Sequence, residues 1–162
     1  MTKQPVIFQG TFDPFTNGHL EIVKKARALF GQVRVLLLVN PDKTPLFSVA
    51  ERKEMITAAV ADLPGVSVDS YEGLLVDYMR ARNLTVCVRG VRNAQDAAYE
   101  LHNAHLSQSL YPALHTLFLP CSNGLTQISS SAVKEMCRTG ILPSGWVLPA
   151  VQQKLSEKFS LP

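Results

Sequence analysis

Apolar residues along the chain fall into two rhythms that alternate. Short, nearly uninterrupted apolar runs at 6–8, 33–39, 66–70, 85–88 and 115–119 have the length and β-branched content of strands. The run Val33-Arg34-Val35-Leu36-Leu37-Leu38-Val39 is what a strand covered on both faces of a parallel sheet requires. Between these runs the apolar spacing turns helical. Residues 20–30 repeat with helical period, and Ser48 with Glu51 forms a capping-box pattern that predicts a helix over about 49–63. Residues 73–82 read as helical, and 93–110, without Gly or Pro, predict a long helix. Ser129-Ser130-Ser131 precedes a short helix that Gly140 ends, and Pro149 opens a last helix reaching about residue 159. Strands alternating with helices predict an α/β fold: one doubly wound, Rossmann-like domain over 1–162, its five-stranded parallel sheet covered by helices on both faces.

Composition narrows the class without changing it. With 46% hydrophobic and 18% charged residues the 162-residue chain is an ordinary globular sequence, long enough for a real core. A formal charge of +3, with Lys and Arg scattered rather than in runs, suits anionic small molecules better than a nucleic-acid track. Cys87, Cys121 and Cys137 follow no metal spacing, and Cys87 within an apolar run reads as a buried free thiol. No apolar run is long enough to span a membrane and the sequence opens directly on a strand, so the expectation is a cytoplasmic protein that engages neither membrane nor nucleic acid.

The chemistry concentrates where the first strand meets the first helix, at Gly10-Thr11-Phe12-Asp13-Pro14-Phe15-Thr16-Asn17-Gly18-His19. Glycines let the backbone bend, and Asp13-Pro14 is turn chemistry, which makes Asp13 a turn-fixing residue rather than a metal ligand. Thr16 or Asn17 can cap the helix, leaving first-turn N–H groups to face an anion. His19 falls in that turn, where the helix dipole disfavours imidazolium, so a neutral ring donating one N–H is expected.

Other stretches follow strand ends in the same way. Arg89-Gly90-Val91-Arg92 places two guanidinium groups around a glycine, a clamp for polyphosphate. Ser129, Ser130 and Ser131 offer hydroxyls and first-turn N–H groups, and Lys43 is a flexible point charge on a polar loop. Ligands of doubly wound sheets bind beyond the carboxyl ends of the strands, so one crevice can collect all of these. His102 and His105, spaced i, i+3, have no matched partners and read as a solvated or interfacial face.

The first motif resembles the nucleotidyltransferase superfamily signature. Taken with Asp42-Lys43-Thr44-Pro45-Leu46-Phe47, Glu51-Arg52, Gly73-Leu74-Leu75-Val76-Asp77, Val88 to Arg92, Tyr99-Glu100 and Ile128 to Glu135, the chain resembles the bacterial phosphopantetheine adenylyltransferases from Val6 to about Pro149. That resemblance implies transfer of AMP from ATP to 4′-phosphopantetheine, giving dephospho-coenzyme A and pyrophosphate by direct in-line attack. The acceptor is an ionised phosphate, so positioning and electrostatics carry the chemistry and no Ser-His-Asp set is needed.

Site roles are implied residue by residue. His19 would stabilise the transition state, with Thr11, Lys43 and Arg92 completing the catalytic set. ATP would meet Thr11, Phe12, His19, Gly90, Val91, Arg92, Glu100, Leu125, Thr126, Gln127, Ile128, Ser129, Ser130 and Ser131. The acceptor would meet Thr11, Lys43, Leu75 and Arg89. Mg²⁺ would be held mainly by phosphates and waters. The resemblance further implies a homohexamer and feedback by coenzyme A. The chain departs from many relatives at Ala97-Ala98, Ser107 and Leu125, positions that bear on the pantetheine arm and adenine rather than on the reacting phosphates. Competing readings are transfer to nicotinamide mononucleotide or glycerol phosphate, a nucleotide sensor without turnover, and a nucleic-acid binder. The arginine turn and the 128–135 stretch oppose the first. Retention of Thr11, His19, Lys43 and Arg89 together opposes the second, and the absence of a basic stripe opposes the third.

Overall fold

The computed structural model describes residues 4–42 and 44–161. Strands β1 (Val6–Gly10), β2 (Val33–Val39), β3 (Val66–Glu72), β4 (Val86–Val91) and β5 (His115–Pro120) form one sheet in the order β3-β2-β1-β4-β5, with every pairing parallel. Helices α1 (Asn17–Phe30), α2 (Val49–Val60), α3 (Leu75–Ala81), α4 (Ala94–Leu110), α5 (Ser130–Arg138) and α6 (Pro149–Phe159) complete the chain.

Period-2 alternation in the central strands divides the core. Val6, Phe8, Val33, Val35, Leu37 and Val88 face Ile22, Val23 and Ala26 of α1 and Ile56 and Val60 of α2. Ile7, Leu36 and Cys87 face the other way, onto Val76 and Met79 of α3 and Leu84 and Leu114. Both faces are therefore covered, as the apolar run of β2 requires. A third cluster, with Phe47, Met55, Val133, Val151 and Leu155 at its centre, joins α2, α5 and α6.

Several boundaries differ from the sequence expectation. The second helix stops at Val60, not near 63, because Pro64 disfavours the helical conformation before it and the chain closes with short turns instead. The third begins at Leu75, not 73: Gly73 takes φ +133 and Leu74 is extended. Strand β4 continues past residue 88 to Val91, because β5 stays paired alongside it through Arg89↔Phe118, Gly90↔Leu119 and Val91↔Pro120. Arg89 and Gly90 therefore lie within a strand, and only Arg92 lies beyond it.

Strand order reverses between β1 and β4, and the crevice at such a point opens beyond their carboxyl ends.

Candidate active site

A cleft of about 520 Å³ lies at that reversal. Thr11, Phe12, His19, Arg89, Gly90, Arg92, Glu100, Ile128, Ser129, Ser130 and Ser131 all line it. Val91, Leu125, Thr126 and Gln127 do not line it, and neither does Leu75, which packs against the buried cluster around Val76 and Met79 on the α3 face of the sheet. Lys43 lies outside the described residues, though Thr44 and Pro45 beside it line the cleft.

The first loop is built around His19. Thr16 is the N-cap of α1, its hydroxyl accepting from the His19 N–H at 3.3 Å. The His19 ring closes a capping box: Nδ1 accepts the Thr16 backbone N–H at 3.0 Å. The first turn is less open than expected. Asn17 donates its N–H to the Trp146 carbonyl at 2.8 Å and His19 donates to Thr16, so of residues 17–19 only Gly18 keeps its N–H for the cleft. His19 is also half-buried rather than exposed, its ring 5.1 Å from Phe12, 5.4 Å from Phe15 and 6.3 Å from Phe8. Burial among these rings, with Arg89 and Arg92 nearby, pushes its pKa down to about 3. The neutral ring expected from the helix dipole is therefore secured chiefly by desolvation.

Phe12 sits at φ +48 with its ring buried, and a Cβ on Gly10 would meet Phe12 Cε1 at 2.9 Å. Gly10 thus makes room for the ring that holds His19. Asp13, buried at 4% exposure, fixes more than its own turn. It accepts from the Leu46 N–H at 2.8 Å, the Phe47 N–H at 2.9 Å and Lys134 Nζ at 3.1 Å, tying the loop after β2 and helix α5 to the first motif. Buried Arg52 donates to the Thr11 carbonyl at 2.9 Å from α2. Ser129 caps α5 by accepting from the Ala132 N–H at 3.1 Å, and the Ser130 hydroxyl donates to the Pro14 carbonyl at 2.9 Å.

Each cleft arginine is held by a carboxylate of α4. Arg89 donates Nε and Nη2 to Glu100, and Arg92 donates Nε and Nη2 to Asp96. Hydrogen bonding to Arg92 holds the Asp96 carboxyl below its usual range, against the opposing effect of burial. Gln9 and Asp96 carry no site role in the sequence reading, Arg52 and Lys134 stand in motifs without a role, and Asp13 is read only as a turn residue. Only the acid-base spacing Arg92–Asp96 carried a signal, since i, i+4 ion pairs are legible in sequence.

The carboxylates lining the cleft have both oxygens engaged: Asp13 by two backbone N–H groups and Lys134, Asp96 by Arg92, Glu100 by Arg89. The donor set suits a metal that arrives on phosphates rather than one held by the protein.

A profile described as cytidylyltransferase-like matches residues 7–136. The phosphopantetheine adenylyltransferase of Dictyoglomus turgidum is 39% identical over 155 residues, covering 96% of this chain and 97% of its own. That of Clostridium tetani is 40% identical over 152 residues, covering 94% and 95%. Among solved structures, a bifunctional NMN adenylyltransferase/ADP ribose pyrophosphatase from Francisella tularensis superposes with a TM-score of 0.72 at 16% identity, over 98% of this chain. This chain spans about half (50%) of that longer protein, and the likeness establishes the fold alone. Identity of 39–40% over nearly the full length of these curated relatives, on a fold and cleft of this form, places the chain in the phosphopantetheine adenylyltransferase family of cytidylyltransferase-like enzymes.

Proposed function

We propose that the protein transfers AMP from ATP to 4′-phosphopantetheine, releasing pyrophosphate, with the acceptor phosphate attacking the α-phosphorus directly. The observation that carries this reading is the convergence of a neutral His19 with Arg89 and Arg92 in one cleft at the strand-order reversal. With Nδ1 accepting from Thr16, the remaining ring N–H is on Nε2, a donor for an α-phosphoryl oxygen. Arg92, Gly90, Glu100 and Ile128 to Ser131 line the cleft and are assigned to ATP, Val91 and residues 125–127 are assigned to it only by resemblance, and Thr11 is assigned to both substrates. Arg89, Lys43 and Leu75 are assigned to the acceptor. Leu75, half-buried against the core cluster on the α3 face, would serve only as wall beside the arm.

Mg²⁺ would enter with ATP, borne by phosphate oxygens and waters, and would supply charge neutralisation as the five-coordinate phosphorus forms. Coenzyme A carries both a pantetheine arm and an adenine nucleotide, so the same cleft would take it as a feedback ligand. The reading places the enzyme in the cytoplasm; no described helix is long and apolar enough to cross a membrane. A homo-oligomer, by resemblance a hexamer, is supported by α4, which buries none of its residues and exposes Leu101, Leu106 and Leu110, and by exposed Leu117, which with Leu101 lines the groove between α4 and edge strand β5.

Pyrophosphate release with ATP and a panel of phosphate acceptors tests the reaction. Preference for 4′-phosphopantetheine is expected, and a higher kcat/KM with nicotinamide mononucleotide would overturn the substrate assignment. Light scattering tests the oligomer, a monomer at micromolar concentration being the adverse result.

A further inference from the structure

The two cleft arginines are anchored by the same device. Arg92 donates Nε to Asp96 Oδ2 at 2.6 Å, Nη2 to Asp96 Oδ1 at 3.0 Å and Nη1 to the Ile128 carbonyl at 3.3 Å. Arg89 donates Nε to Glu100 Oε2 at 2.7 Å, Nη2 to Glu100 Oε1 at 2.5 Å and Nη1 to the Gln9 carbonyl. A guanidinium has five N–H donors, so each arginine keeps two, one on Nη1 and one on Nη2, while lining the cleft. The carboxylates lie four residues apart on one helix, so a single face of α4 holds both guanidinium groups. Asp96 is itself fixed, its N–H donating to Asn93 Oδ1 at 2.9 Å and its Oδ2 accepting the Arg92 N–H at 3.3 Å.

We propose that Asp96 is a positioning residue: it acts through Arg92, locking the guanidinium so that its two remaining donors are aimed into the cleft at a phosphate. The inference rests on the triphosphate reading of the cleft. Two effects of the carboxylate oppose each other. As a fixed negative charge beside the site it weakens phosphate binding, whereas as an anchor it removes the rotameric freedom a long side chain would otherwise lose on binding. The side-on, two-bond geometry and the third bond to Ile128 favour the anchor. Glu100 stands in the same relation to Arg89, so whatever it does toward a substrate runs through that acceptor-side arginine.

The sign of one substitution separates the two effects. Asp96→Ala should weaken ATP binding and lower kcat/KM by roughly 10–100-fold, the scale of a misplaced binding group. Arg92→Ala should do at least as much, and the double variant should be no worse than Arg92→Ala alone. Asp96→Asn, which keeps the side-chain shape and the helix start, should fall between wild type and Asp96→Ala. Tighter ATP binding by Asp96→Ala would show a competing counter-charge and overturn the proposal. Additive losses in the double variant would show a structural role independent of Arg92 and overturn it equally. The cycle is read by calorimetry with ATP as well as by turnover, so failure to use 4′-phosphopantetheine would sink the acceptor assignment without touching it. A wild type that binds no ATP would sink both.

Discussion

The imidazole Nδ1 of His19 accepts the backbone N–H of Thr16, three residues earlier, at 3.0 Å. This one bond joins the helix start to the chemistry: it satisfies an otherwise orphaned donor and leaves the ring's single proton on Nε2. A residue that motif reading treats as purely catalytic is thus also a cap.

Two substitutions separate those roles. His19→Ala removes the cap and the ring among Phe8, Phe12 and Phe15, so it should lose about 1–2 kcal/mol of stability as well as about 10²–10³ in kcat. His19→Gln can rebuild the capping box, since Gln is favoured at that position, and should lose the rate with most of the stability retained. Urea unfolding beside initial-rate kinetics checks both. A Gln variant with wild-type kcat would remove His19 from the transition state.

The depressed pKa of His19 sets a pH dependence of definite sign. Between about 3 and the ordinary 6.5 the unfolded chain binds a proton that the folded ring refuses, so stability rises with pH across that window. The contribution is complete above pH 6.5 and is lost as pH falls toward 3. Unfolding of wild type and His19→Gln at pH 7.5 and 5 should show the larger acid loss in wild type. Equal losses would mean that the folded ring takes the proton.

Asp13→Asn should destabilise the fold by about 1–3 kcal/mol, because the buried carboxylate accepts two backbone N–H groups and the half-buried Lys134, and the amide can accept fewer of these. Because Asp13 also holds Leu46 and Phe47, the acceptor KM should rise more than the KM for ATP. Thermal unfolding and two-substrate kinetics measure these.

Gly90→Ala would set a Cβ 2.8 Å from Cγ1 of buried Ile22, displacing it and disturbing the α1 face of the cleft. A loss of about 1–3 kcal/mol is expected, the range for overpacking. Ile22→Val in the same background should recover part of it.

Cys121 lines the cleft at partial exposure, whereas Cys87 and Cys137 are buried. Burial raises all three thiols above their ordinary pKa, so labelling should be slow, with Cys121 first. ATP should protect Cys121, which mass spectrometry of the labelled peptides would show.

Much of this molecule is determined locally. Strand and helix periods, the Ser48–Glu51 capping box, and Pro149 at the head of α6 follow from neighbours within a few residues, and the structure contains each of them. The 10–19 motif is local too, which is why its histidine, cap and turn were legible before any contact was known. What only tertiary structure decided involves partners far apart in the chain. Trp146 occupies an N–H of α1, Leu46, Phe47 and Lys134 converge on Asp13, and Arg52 reaches back to Thr11. Pairing with β5 drew Arg89 and Gly90 into the sheet, turning an apparent loop clamp into a strand-borne one. Burial set the charge of His19, and desolvation depends on which rings pack around it. Periodicity reports what lies three or four residues away; which groups lose water, and which charges meet, depends on the packing of the whole chain.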